Sequence, residues 1–167
     1  MQTLGGVSHE HHDLLWRAVD RLSDLAECLD CDCLDRAELL ARLPQLQEIH
    51  DSLTMQLIPH MEAVETAVYP TLERIVADHG VTVTMADEHE QIRRLVAALG
   101  SFIDEPAAHA DRSAILVLRR ILLRLHALLK THLAEEELYI PILEDRLTPG
   151  QEAALARALD HLAAERL

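Results

Sequence analysis

The chain is nearly devoid of aromatic residues, with one Trp, two Tyr and one Phe in 167 positions. β-Sheets draw on aromatic and β-branched side chains, whereas the apolar content here is mainly Leu and Ala; that argues against an all-β sandwich and for helix-on-helix packing. Cysteine is also scarce: Cys28, Cys31 and Cys33 crowd into six positions and cannot all pair within one chain. They form no secreted disulfide framework, and a reducing compartment is expected. Long hydrophobic runs are missing, since no stretch approaches the roughly 18 apolar residues that span a bilayer. Residues 1–10 hold no basic region followed by an apolar one, so the expectation is a cytoplasmic protein that engages no membrane. Positive charge is the last shortage. Fifteen Lys and Arg stand against 29 Asp and Glu, a net charge of −14, which leaves no basic footprint for nucleic acid.

What is present is a 49% hydrophobic composition, enough to build a core, in a length that fits one domain over residues 1–167. Apolar residues recur at spacings of three and four, the period of a helix. A first helix over about residues 7–30 carries the stripe Leu15, Ala18, Leu22, Leu25, Leu29, with His11 at its start. Asp35 and Glu38 read as a capping box opening a second helical region that runs to about residue 77. Within it Pro44 is expected to separate a short turn from the main helix, and Pro59 and Pro70 to bend it. Asp78, His79 and Gly80 read as a stop, with glycine supplying the left-handed conformation.

Thr82 or Thr84 caps a third helix over about residues 84–101, with stripe Met85, His89, Ile92, Val96, Leu99, followed by a loop over about residues 102–110. A fourth helix over about residues 111–146 places Leu118, Leu122, Leu125, Leu129, His132 and Glu136 on one face. Thr148, Pro149 and Gln151 supply the N-cap, first position and capping-box partner of a short last helix. The expected architecture is all-α: an antiparallel up-down four-helix bundle over about residues 5–146, with an extra C-terminal helix at about 148–166.

Eleven histidines are the unusual feature. One histidine on an apolar face is more often a hydrogen-bonded core group than a ligand, but four stripes each carrying one reverse that reading. The four are His11, His60 (on Ile49, Leu53, Leu57, His60, Val64), His89 and His132. Glu136 follows His132 by four positions, about 40° round the helix, so both reach one metal. In the second helix the equivalent place is held by Val64. The nearest carboxylates, Glu65 and Glu62, lie about 140° and 160° round from His60 on an ideal helix, so a bend near Pro59 or Pro70 is required; Glu65 is preferred because it shares the Met61 and Val68 side.

Imidazoles with carboxylates suit iron, manganese or zinc, and bridging carboxylates suit a metal pair about 3.5–4 Å apart. Buried carboxylates without a cation would cost several kcal/mol each, so a metal accounts for Glu where Leu would otherwise sit. His12 is an alternative to His11. His126, Tyr69 and Tyr139 read as packing groups, with the tyrosines able to hydrogen-bond a bound oxygen species. His50, His79, His109 and His161 read as solvated, and the three cysteines as loop thiols.

The segments Glu10-His11-His12-Asp13, Pro59-His60-Met61-Glu62-Ala63-Val64-Glu65 with Tyr69-Pro70, Glu88-His89-Glu90, and His132-Leu133-Ala134-Glu135-Glu136 with Pro141 resemble the hemerythrin-like HHE cation-binding family. The resemblance covers about residues 5–145. It implies a non-haem centre of two Fe ions, oxo- or hydroxo-bridged, in a four-helix bundle, with His11, His60, His89, His132 and Glu136 as ligands. Glu65 would substitute for the carboxylate that the family pattern, His-x-x-x-Glu, places at Val64. Oxygen-carrying members also have a histidine four positions before that of the third helix; here it is Met85, which implies fewer nitrogens and more open coordination. The implied function is binding of O2 or a related small molecule by a monomer or weak homo-oligomer. The alternatives are an oxidoreductase acting on peroxide or nitric oxide, and a metal-free regulatory or interaction bundle.

Overall fold

The computed structural model describes residues 4–29, 36–105 and 112–164, and the described residues are helical throughout apart from short turns, with no strand. Helix α1 (Leu4–Cys28) precedes a long rod, α2, over residues 36–76. Helices α3 (Val83–Asp104), α4 (Arg112–Arg146) and α5 (Pro149–Ala164) follow. No helix among the described residues is long and apolar enough to cross a membrane.

Side-chain pairs give the topology. Along α1 and α2, Arg21 meets Glu48 and His12 meets His60; along α2 and α3, Glu65 meets Arg93 and Tyr69 meets His89. Along α1 and α4, Trp16 meets Glu137, and Val19 accepts from His126. In each of these pairs of rods the numbers rise on one as they fall on the other, so these neighbours are antiparallel, as expected. The buried stripe of α1 includes Leu15, Val19, Leu22 and Ala26, and that of α4 includes Leu118, Leu122, Leu125 and Leu129. They meet Ile49, Leu53 and Leu57 of α2 and Ile92, Val96 and Leu99 of α3 in one large apolar core. A second apolar layer lies at the other end, where α5 adds Leu155, Ala156 and Leu159 to Leu4, Val7, Val64, Val68 and Met85. Between the two layers lie the buried His12, His60, His89, His132 and Glu136.

The prolines of α2 act differently from one another. Pro44 does not separate a turn from the helix: Arg36–Ser52 is one continuous segment that runs through it. Pro44 is exposed, so the carbonyl it leaves without an amide partner can turn to water. Pro59 and Pro70 each follow a π-helical turn, Leu53–Leu57 and Val64–Val68. There the Ile58 amide donates to the Leu53 carbonyl and the Tyr69 amide to the Val64 carbonyl, five residues back. The wider turn moves the preceding carbonyls out of the way of the proline ring, so the expected bends take the form of bulges.

The end of α2 also corrects the sequence reading. The left-handed residue is Ala77 (φ 55°), and no glycine takes a positive φ; Gly80 instead donates its amide to Asp78 Oδ1 at 2.8 Å. The Asp78 amide bonds the Glu73 carbonyl at 3.3 Å, which is the Schellman closure with Ala77 at its strained position. Ala77→Gly is therefore expected to raise stability by about 1 kcal/mol in urea unfolding, because a side chain in this conformation costs about 1–2 kcal/mol.

Helix α3 extends through Asp104, further than expected, and starts after Thr82, whose hydroxyl donates to Glu73 rather than capping the helix. The Thr148 and Gln151 capping box forms as read, with the Thr148 amide donating to Gln151 Oε1 at 3.0 Å. Asp35, Cys31, Cys33 and His109, and the side chain of His161, lie outside the described residues; Cys28 is exposed. His79 is exposed, but His50 is only partly so and lies against Gly100, where a Cβ would sit 2.7 Å from its Nε2.

Candidate metal centre

Each of the four bundle rods sends one histidine into the layer between the apolar cores. His12 comes from α1, His60 from the short α-helical stretch between the two π turns of α2, His89 from α3 and His132 from α4. All four are at most 3% exposed. Glu136, one turn beyond His132, lies at the centre. Its Oε2 is 3.2 Å from His12 Nε2 and 3.0 Å from His60 Nε2, and its Oε1 is 3.2 Å from His132 Nε2 and 3.7 Å from His89 Nε2. Two groups able to hold a metal result, His12/His60/Glu136 and His89/His132/Glu136, joined through one carboxylate.

The outer faces of two rings are fixed by further carboxylates. Glu65 Oε1 lies 2.7 Å from His89 Nδ1, with Arg93 holding its other oxygen at 2.8 Å, and Glu88 Oε2 lies 2.9 Å from His132 Nδ1. An ionised carboxylate only accepts, so each Nδ1 carries the hydrogen and each Nε2 of the neutral ring presents a lone pair. Those two Nε2 atoms face each other at 2.8 Å. Two lone pairs at that distance repel, so without a cation one ring must take an extra proton; a metal ion removes that need. Glu136 Oε1 points the same way: it is buried with no hydrogen-bond partner. Donors at right angles about 2.1 Å from one ion stand about 3 Å apart, which matches the separations in each group. The donor set, four imidazoles and a carboxylate, fits a transition metal.

The field at the centre is set by the same contacts. Burial pushes the Glu136 carboxyl up, but His60 first and then His12 and His132, through their charge and hydrogen bonds when the metal-free rings carry the extra proton, outweigh it and hold the group well below the usual carboxylate range. Glu65 is likewise lowered: burial opposes, but Arg93 and His89 prevail. Tyr69 is raised, first by burial and then by the charges of Glu136, Glu65 and Glu88, so its hydroxyl stays neutral. That hydroxyl is 3.3 Å from His89 Nε2, and its ring stacks on His89 at 5.6 Å between centroids. A cavity of about 20 Å³, room for one small molecule, lies beside the His12/His60 group and is lined by Val64, Tyr69, Tyr139 and Leu159 among others.

The family model described as hemerythrin HHE cation-binding domain matches residues 7–137. The chain belongs to that family. No curated protein and no solved structure matches it. The HHE assignment and the buried His/Glu cluster together mark a cation-binding domain.

Of the residues expected in the HHE site, the structure brings His60, His89, His132 and Glu136 together. The side chain of His11 lies outside the described residues, and it is His12, read as the alternative, that reaches Glu136. Glu65 stands in neither group of metal-holding residues but behind His89, and Glu62 is in neither. Val64 and Met85 are both buried and join the second apolar layer. His126 packs as read, its Nδ1 donating to the Val19 carbonyl at 3.0 Å. Glu88 and Arg93 were missed as site residues. The available signal was their place beside and one turn beyond His89, where they face the rods on either side.

Proposed function

We propose that this HHE domain is a non-haem di-iron protein that binds O2 or a related small molecule in the bundle core. The observation that carries the reading is the central carboxylate, whose two oxygens address two different histidine pairs. His12, His60 and Glu136 Oε2 would hold one ion, and His89, His132 and Glu136 Oε1 the other. A pair of iron ions there supplies two one-electron redox centres next to a binding position. The chain does the rest. Val64, Leu159 and the two tyrosine rings give the cavity a mainly apolar lining, and its size admits a molecule of few atoms. The neutral Tyr69 hydroxyl is a hydrogen-bond donor facing the cluster. Glu136 supplies negative charge shared by both positions, while the histidines contribute neutral nitrogens.

Iron content and the near-ultraviolet and visible spectrum of one sample test the proposal. Two Fe per chain with oxo-bridge absorption that reverses on deoxygenation supports it. No iron, or one zinc per chain after growth on iron, overturns it. A second reading, turnover of peroxide or nitric oxide by the same centre, is favoured by the apolar Val64 and Met85, which leave fewer protein donors around the metals. Sustained consumption of peroxide with a reductant separates it from a carrier, which binds reversibly and then stops. A metal-free interaction module leaves the facing His89 and His132 nitrogens unexplained.

A further inference from the structure

The two halves of the centre are built unequally. On one side both rings are gripped from behind: His89 by Glu65, itself fixed by Arg93, and His132 by Glu88. These rings are fully buried, and their Nε2 atoms already converge at 2.8 Å. On the other side the Nδ1 of His12 stands 3.6 Å from Glu137 Oε1, beyond hydrogen-bond reach, and that oxygen is taken by the Trp16 indole at 3.1 Å. Glu137 is half exposed, and the small cavity opens beside His12 and His60.

A carboxylate on the far nitrogen of a ligating histidine fixes its tautomer and orientation and raises its basicity, and its loss typically weakens a metal site about 10- to 100-fold. Glu65 and Glu88 also bring negative charge to one half only, partly offset by Arg93 at Glu65. The geometry points to ordered loading: the first divalent cation enters the His89/His132/Glu136 half, with Glu65 and Glu88 as its positioning residues, and the His12/His60/Glu136 half takes the second, exchangeable ion. This rests on the two-ion reading above and adds an order and two residues to it.

Metal-free protein titrated anaerobically with Co(II), read by calorimetry and by the visible bands of the bound ion, is expected to show two steps, the first at least tenfold tighter. Glu65→Gln and Glu88→Gln keep an acceptor oxygen of the same shape but remove the charge, and each is expected to weaken the first step about 10- to 100-fold. His12→Gln should remove the second step alone. A first step unchanged in both carboxamide variants, or lost in His12→Gln, overturns the order. Should a variant fail to fold, the wild type decides the matter. Ring-nitrogen NMR of 15N-histidine protein at one equivalent of Zn(II) should move His89 and His132 first, and movement of His12 and His60 first overturns the proposal. Saturation at one ion per chain overturns the dinuclear reading itself, an outcome distinct from two ions entering in the reverse order.

Discussion

Glu136→Ala is expected to strip both metal positions at once, so that protein loaded with excess Fe(II) and then desalted retains no iron. Among the described residues each half contains two imidazoles besides this carboxylate, and the carboxylate is common to both. Its loss therefore exceeds the roughly 10- to 100-fold penalty for removing a supporting partner. The metal-free protein should weaken as well. Removing one member of a buried charged pair leaves the others uncompensated, at about 3–5 kcal/mol, read as a shift of the urea midpoint.

The pH dependence separates the charge from the packing. The folded-state carboxyl titrates well below its ordinary value, chiefly because the histidines outweigh burial. The unfolded chain therefore binds this proton first as pH falls. The stabilisation is fully present above the unfolded value of about 4.3 and is lost progressively below it, down through the folded value. Glu136→Gln preserves shape without the titration, so its metal-free stability should fall less steeply over that acid range. Equal acid limbs for wild type and Glu136→Gln would show that the carboxylate is not held by the rings as described.

The bundle was legible because it depends on one property, apolar period, repeated over many turns. The stripes of α1, α3 and α4 read from spacing are the buried stripes observed, and a single misjudged residue does not alter such a pattern. His132 and Glu136 were legible for a related reason: they sit on one straight segment, where ideal geometry holds. The reading lost precision where the helix departs from 3.6 residues per turn. Two π turns flank His60, so angles counted on an ideal helix do not locate Glu65, which comes to rest behind His89. His11 and His12 are neighbours, and spacing alone could not choose between them. The places of Glu88 and Arg93 beside and one turn beyond His89 were the one signal for them, and it did not suffice because their role depends on which helix packs beside α3, information that periodicity does not hold.

Val64→Glu tests the largest departure from the family pattern, and its effect is expected to change sign with metal. Val64 is 4% exposed, follows His60 by one turn, and lines the cavity together with His12, His60 and Glu136. A carboxylate there would be buried beside Glu136, a like charge, with desolvation costing several kcal/mol. The metal-free variant should therefore melt roughly 6–12 °C lower for about 3 kcal/mol lost. With Fe(II) in excess the same carboxylate becomes a second anionic donor between the histidine pairs, and tighter binding to the folded state feeds directly into stability. The loaded variant is expected to recover the deficit and to release iron more slowly to a chelator than wild type. Val64→Gln, of equal size without the charge, should be destabilised in both conditions and gain much less from the metal. If Val64→Glu loses as much in loaded as in metal-free protein, then the space at Val64 does not face the cations, and the two histidine pairs do not share a centre that a second carboxylate could join.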